Sequence, residues 1–237
     1  MAADDRWWGA RARFQVSAWR GSDDTVVLSP LPDRPAPTAD EIEREVAALR
    51  ARGMATVLTG ALHQGELAPF VAAGFVEQER LHLLRHDLLA LPDASAQVRL
   101  RRAWRRDHTT ILDIDRRAFD DFWALDRRGL DDAVRATPSS RFRVSVDGPI
   151  TGYAVTGRAA TRGYLQRLAV DPGRHREGIG RTLVADGLRW LRRAGATVAM
   201  VNTQERNEDA LALYLATGFV LEPHGLTVLT RPLQAPR

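Results

Sequence analysis

No cysteine occurs in the 237 residues. Disulfides, thiolate nucleophiles and cysteine metal sites are therefore excluded, while the redox compartment stays open. No metal is expected. Lysine is absent too, so all 34 basic residues are arginine. We read this as a coding bias toward GC-rich codons, and hence a bacterial source, rather than a functional choice. No apolar run approaches the roughly 20 residues that a membrane span needs. The opening M-A-A-D-D-R-W-W lacks a long apolar core, so no signal peptide is expected and cytoplasm is the expected location.

What is present suits a folded protein. Hydrophobic residues make up 44% and charged residues 27%, ordinary for a globular chain of one large domain or two small ones. Charge is unevenly divided. Residues 1–92 carry net −3 and residues 93–237 net +7. The positive part suits an anionic partner. Its arginines are interspersed with acids, which argues against nucleic acid.

That positive part is organised around residues 164–193. Tyr164 to Val170 is an apolar run suited to the middle of a sheet. Asp171-Pro172-Gly173 ends it. Ile179, Leu183, Val184, Leu188 and Leu191 then recur at helical spacing. Between them, R-H-R-E-G-I-G-R (174–181) puts Gly178 and Gly180 at a helix start. Free amides and the helix dipole there favour an anion. Arg174, His175, Arg176 and Arg181 add positive charge suited to a polyphosphate. On this stretch alone, a tight turn without a ligand remains the alternative.

A second stretch, N-E-D-A-L-A-L-Y-L-A-T-G-F, occupies 207–219. Together with V-D-P-x5-G-I-G ahead of it, the chain resembles the GCN5-related N-acetyltransferase (GNAT) family over roughly residues 98–233. The resemblance implies an α/β (α+β) acyl-CoA N-acyltransferase fold, with a mixed central sheet and helices on both faces. It implies acetyl-CoA as co-substrate and an amine as acceptor, in a catalytic domain 98–237. It carries pantetheine contacts onto the backbone of Leu168, Ala169 and Val170. Pyrophosphate contacts go onto His175, Arg176, Gly178, Ile179, Gly180 and Arg181, and a cofactor-orienting role onto Asn207. One departure is His175, which stands where the family commonly has glutamine or arginine; Arg174 and Arg176 flank it.

Chemistry follows from the same resemblance. Tyr214 takes the general-acid position beside the departing thiolate and also touches the cofactor. Asn202 stands in the catalytic base position, where ribosomal-protein alanine acetyltransferases have a glutamate. Asparagine cannot take a proton; Glu205, three residues on, is the nearby carboxylate. Freeing an α-amine of pKa about 8 at pH 7 costs about 1.4 kcal/mol, against about 4.6 for a lysine side chain of pKa about 10.4. A site without a dedicated base thus favours an α-amine of a peptide, amino acid or small molecule. Phe119, Phe122 and Trp123, beside Asp120 and Asp121, are the candidate acceptor-pocket residues. A helix carrying Ile111, Ile114, Ala118 and Phe122 inward is expected to lead into them, capped by Asp107.

The first ninety residues read as a degenerate echo. L-R-A-R-G-M-A-T-V (49–57) matches L-R-R-A-G-A-T-V (191–198), and P-F-V-A-A-G-F (69–75) matches L-Y-L-A-T-G-F (213–219). Phe70 then stands where Tyr214 stands, and His63 where Asn207 stands. The glycine loop is replaced by P-A-P-T-A-D-E, whose Asp40 and Glu41 would repel a phosphate. A strand is expected over 10–20 and another over 25–31. A stiff loop holds Pro32, Pro35 and Pro37, and a capping box at Thr38 and Glu41 opens a helix. We expect 1–90 to be a structural GNAT-like half-domain, 91–97 a short linker, and 98–237 the catalytic domain. Three alternatives remain: a catalytically silent acyl-CoA-binding or regulatory module, a tandem acetyltransferase acting on a small thiol precursor, and a nucleic-acid-binding protein.

Overall fold

Thr38 shows why the first long helix starts where it does. Its hydroxyl accepts the Glu41 amide at 3.3 Å, and the Glu41 carboxylate takes the Thr38 amide at 2.9 Å. This is the predicted capping box, two helix-end donors satisfied reciprocally. The computed structural model describes residues 9–11, 13–20, 22–31 and 34–233. Pro32 of the predicted stiff loop lies outside them. Two compact units are present. One comprises the described residues up to Leu81 together with those from His224 onward; the other is His82–Pro223.

In the first unit, β1 (Gly9–Arg11) and β2 (Phe14–Ala18) pair antiparallel, where a single strand was predicted over 10–20. β3 (Thr25–Pro30) lies antiparallel on β2. After α1 (Ala39–Ala51), β4 (Thr56–Thr59) runs parallel to β3 in unbroken register, Thr25 opposite Thr56 through Leu28 opposite Thr59. β5 (Leu62–His63), α2 (Leu67–Ala72) and the first half of β6 (Val76–His86) follow. The C-terminal strand Leu226–Pro232 pairs antiparallel with both β4 and β6. Ile42, Val46 and Leu49 of α1 turn inward as predicted, into a core with Val57, Phe70, Phe75 and Leu229.

The second unit starts within β6 and continues through β7 (Arg99–Arg102), α3 (His108–Ala118) and α4 (Arg127–Arg135). Then come β8 (Ser139–Val146), β9 (Ile150–Ala159) and β10 (Arg162–Val170). α5 (Ile179–Arg193), β11 (Val198–Gln204), α6 (Glu208–Ala216) and β12 (Val220–Leu221) complete it. The sheet order is β7-β8-β9-β10-β11-β6, with β12 also on β6. Residues alternate between faces along each strand. Tyr153 and Val155 pack with Ile111, Ile114 and Leu130 of α3 and α4. Ala154, between them, packs with Ile179 and Leu183 of α5. Helices therefore cover both faces of a mixed sheet.

Three expectations need correction. The units do not divide at 90 and 98. The C-terminal strand, assigned to the catalytic domain, belongs to the first unit, and residues 82–90 belong to the second. An alternating pattern marks a strand without naming its neighbour. Leu229 and Leu233 bury in the first core, Leu84 and Leu88 in the second. Segment 91–97 is tied down: Arg181 donates to the Asp93 carbonyl, Arg189 to that of Pro92, and the Ser95 amide to the Thr182 hydroxyl. Asp107 makes no side-chain cap on α3. Its carboxylate instead takes the Trp104 amide at 2.7 Å and Arg101.

The repeat seen in the sequence is present in the geometry of each unit. α1 and α5 both end on a left-handed glycine, Gly53 (φ 83°) and Gly195 (φ 84°). Gly74 and Gly218 follow α2 and α6 in the same conformation, the usual helix stop. Phe75 donates back to the Phe70 carbonyl as Phe219 does to that of Tyr214. The ring pairs match as well, edge-on at 5.3 Å and 5.6 Å.

His86 gives the second unit a pH dependence. It is buried, accepts the Leu88 amide on Nδ1 at 2.9 Å and lies edge-on to Phe219. Burial lowers its pKa, against a smaller raising effect from Asp87. His108 is lowered too, by burial and then by Arg127. A lowered histidine pKa means that the unfolded chain binds more protons below about pH 6.5, so stability is full above that pH and is lost on acidification. Thermal melts at about pH 7.5 and 5.5 should show Tm falling. His86→Asn, whose amide oxygen can still accept from Leu88, should narrow that fall. An equal fall in the variant would remove His86 as a cause.

Candidate functional site

β10 and β11 separate after three residues. Arg162, Gly163 and Tyr164 stand opposite Val198, Ala199 and Met200, and the parallel register stops there. β10 continues to Val170 against β9, through an irregularity between Leu165 and Arg167. β11 continues to Gln204. Beyond Tyr164 and Met200 the facing edges form a fork. Backbone groups on such edges need water or a ligand as partner. Leu168, Ala169 and Val170 lie on one arm, paired on their other side with Ala154, Tyr153 and Gly152.

The glycine loop stands at the end of that arm. Asp171 caps a short turn by accepting the Gly173 amide, and Arg117 holds Asp171 at 2.8 Å. Arg176 then adopts φ 66° and Gly178 φ 77° before α5 begins at Ile179. The first amides of a helix have no partner within it, so Ile179, Gly180 and Arg181 present theirs at the helix start. Gly180 serves packing as well: a Cβ there would meet Leu213 of α6 at 3.0 Å.

The loop's charged side chains are largely engaged. Arg174 is held by Glu177 and Asp147 at 2.8 Å, which pushes its pKa further up. Arg176 pairs with Asp209 at the surface. Arg181 donates to the carbonyls of Asp93 and Ala216. The His175 ring folds back toward the Val170 carbonyl at 3.3 Å. With the arginines so paired, the open amides and the helix dipole are the features of this loop that would favour an anion.

Tyr214 lies at the root of the fork. It shares an apolar cluster with Leu165, Ala199 and Val201. Burial pushes its phenol up to about 12, and the Arg167 charge works weakly the other way. The Asn207 side chain caps α6 by accepting the Ala210 amide at 3.0 Å. Asn202 is exposed on β11. By strand alternation it shares a face with Gln204, opposite to Ala199 and Val201.

Phe119, Phe122 and Trp123 come together, though not on a helix. α3 ends at Ala118 and Phe119 is extended (φ −124°, ψ 156°), so Phe122 does not extend the helix's buried face as predicted. Asp120 shapes the turn that follows by accepting the Trp123 amide at 2.9 Å. Phe122 and Trp123 are edge-on at 5.2 Å.

A buried network underlies this segment. Arg167 holds Asp115 in a two-pronged pair at 2.7 Å, with the arginine 10% and the aspartate 0% exposed. Asp115 also accepts the Tyr153 hydroxyl and the Leu125 amide. The phenol of Tyr153 is pushed up, chiefly by burial. Arg167 donates further to the Trp123 carbonyl at 2.7 Å, and its guanidinium lies 3.5 Å from the centre of the Phe119 ring. Sequence reasoning missed Asp115, Tyr153 and Arg167. One signal was there: Asp115 stands four residues after Ile111, on the face that α3 buries, and a carboxylate there requires a cation.

Comparison with known proteins agrees with this geometry. The family model described as "Acetyltransferase (GNAT) family" matches residues 99–219. The mycothiol acetyltransferase of Thermomonospora curvata is 33% identical over 121 residues, which cover 48% of this chain and 41% of that one. The ribosomal-protein bS18 alanine N-acetyltransferase of Escherichia coli is 30% identical over 78 residues, covering 33% and 53%. The chain thus spans less than two thirds of either relative. Among solved structures, a tandem GNAT protein from the clavulanic acid biosynthesis pathway superposes with TM-score 0.68 at 14% identity, over 97% of this chain and 82% of that one. A GCN5-related N-acetyltransferase from Sphaerobacter thermophilus gives 0.64 at 13% identity, over 94% and 76%. The fold is that of the GNAT acetyltransferases, and the chain belongs to the GNAT acetyltransferase family.

Proposed function

We propose that the protein transfers an acetyl group from acetyl-CoA to an amine, with an α-amine of a peptide, amino acid or small molecule as the preferred acceptor. The observation that carries the reading is the fork between β10 and β11. It lies between an open helix start at Gly178 and a buried tyrosine at its root. The open edge of Leu168, Ala169 and Val170 would bond the pantetheine arm, and the amides from Gly178 to Arg181 would take the pyrophosphate. Both named relatives are acetyltransferases, which supports acetyl transfer as the reaction class. The first unit supports a division of labour. Its β3–β4 register is unbroken, and Thr38 and Glu41 already occupy the start of α1.

In the reaction, the amine nitrogen attacks the thioester carbonyl, a C–N bond forms, the C–S bond breaks and coenzyme A leaves as thiolate. Tyr214 is the proposed general acid. With its phenol up to about 12, full proton transfer to a thiolate of pKa about 8.5 runs uphill by about 5 kcal/mol. Its contribution is then chiefly a hydrogen bond to the sulfur as charge develops. Asn202 offers no proton acceptor, so the amine must arrive free or lose its proton to water. That requirement is the basis of the α-amine preference.

Tyr214→Phe should lower kcat by about 100-fold or more while acetyl-CoA affinity is kept. A variant with parental kcat would instead favour the silent acyl-CoA-binding module. The pH profile of kcat/KM on a peptide α-amine should rise with its midpoint near about pH 8 and level off about one unit higher. It should show no falling limb below pH 10, because Tyr214 stays protonated to about 12. A plateau reached well below pH 7 would reveal a dedicated base. Gly178→Val places a branched side chain at φ 77°, a conformation that costs an L-residue about 1–2 kcal/mol. Titration with acetyl-CoA should show weakened binding, and unaltered affinity would remove the loop from the site.

A further inference from the structure

Trp123 is bonded to both arms of the fork. Its carbonyl accepts Arg167 at 2.7 Å, and Arg167 lies on β10 beyond the last paired residue, Tyr164. With the Gln204 amide oriented so that its oxygen, rather than its nitrogen, faces the neighbouring donors, the indole Nε1 donates to that oxygen at 2.6 Å, and Gln204 ends β11 beyond its last residue paired with β10, Met200. The same Gln204 oxygen receives Arg206 at 3.0 Å, and Arg206 also holds Asp120, whose carboxylate shapes the turn before Trp123. One residue therefore spans the gap that the two strands open.

The two anchors differ in kind. On the β10 side, Arg167 is buried, both of its prongs are on Asp115, and the Phe119 ring packs on its guanidinium. Tyr153 and the Leu125 amide complete the bonding of Asp115. Such a pair cannot shift without leaving a charge buried and unmatched. On the β11 side, the Asp120–Arg206 pair is exposed, at 44% and 60%. Exposed pairs of this kind are worth about 0–1 kcal/mol, so this end is the weaker anchor, and Gln204 is its side-chain link to the indole.

We propose that Trp123 is a crossbar over the fork that bounds the approach of the acceptor amine, with Arg167 and Gln204 as positioning residues that hold its two ends. The proposal rests on the acetyltransferase reading. The indole faces the same side of the sheet as Asn202, so an amine that approaches the thioester from that side passes the crossbar. Loosening one end then weakens acceptor binding and leaves the cofactor's contacts on Leu168 to Arg181 in place.

The test begins with the parent protein: coenzyme A release from acetyl-CoA over a panel of peptide, amino-acid, polyamine and amino-sugar acceptors. Steady-state kinetics of Gln204→Leu and Gln204→Glu follow on the best acceptor. Gln204→Leu keeps the bulk and removes the oxygen. It should raise acceptor KM about tenfold, the equivalent of one hydrogen bond of about 1.4 kcal/mol, with KM for acetyl-CoA unchanged. Gln204→Glu can still accept the indole N–H and Arg206, and should restore acceptor KM. Hydrogen exchange of residues 119–125 should quicken in the leucine variant and return in the glutamate variant. Parental acceptor KM in Gln204→Leu, or an equal rise in both KM values, overturns the crossbar while the transferase reading stands. Silence of the parent protein over the whole panel overturns the reading itself, and the crossbar's role with it.

Discussion

Parallel pairing between β10 and β11 ends at Tyr164 and Met200, and the rest of the second unit is arranged around the backbone groups that this ending leaves open. A buried amide or carbonyl without a partner costs about 1–3 kcal/mol, so two strands do not part inside a domain unless water or a ligand takes the place of the ladder. The irregularity at Leu165–Arg167 bends β10 away, while its pairing with β9 resumes and holds to Val170. An open helix start, a buried phenol and the side chain of Trp123 then surround the opening. The first unit shows the contrast. Its equivalent strands stay paired over their whole common length, and its equivalent helix start is already capped.

The chain's high arginine content tempts an electrostatic reading, and the side-chain geometry redirects it. Arg174 and Arg176 are matched to Glu177, Asp147 and Asp209 beside the glycine loop, and Arg206 to Asp120. Each exposed pair contributes little to stability, but together they neutralise much of the positive charge that the loop shows on paper. On the acetyl-CoA reading, affinity for the cofactor's phosphates would then rest on oriented amides, which cannot be titrated or screened away as readily as free side chains. The deeply buried pair Asp115–Arg167 is weak evidence for stability and strong evidence for fixed geometry, because its remaining valences go to Tyr153, Leu125 and Trp123.

The internal repeat separates what a fold keeps from what a site needs. Helix stops, left-handed glycines and edge-on ring pairs recur in both units with nearly the same values. These features serve the helix–turn–strand joint and persist as long as each unit must fold. Phe70 in place of Tyr214 keeps the ring and loses the hydroxyl. Asp40 and Glu41 at the start of α1 suit that helix's own dipole and oppose an anionic ligand. Besides the parting of β10 and β11, these differences between the units are polar and lie on the helices that flank the opening.

Local chemistry was legible in the chain itself. The capping box at Thr38, the turn at Asp171 to Gly173, the α5 periodicity, the glycine loop and the repeat all depend on residues close in sequence. Their physics is short-range: propensity, capping and alternation. Family membership followed from two such motifs at the right spacing. Tertiary structure alone decided three things. It chose the neighbour of the C-terminal strand, since apolar alternation suits more than one sheet edge. It joined Asp115 to Arg167, and Trp123 to Gln204, across 52 and 81 positions, pairings that no local rule selects. It also decided where β10 and β11 part, because strand separation is a property of two strands' mutual register and is written in neither alone.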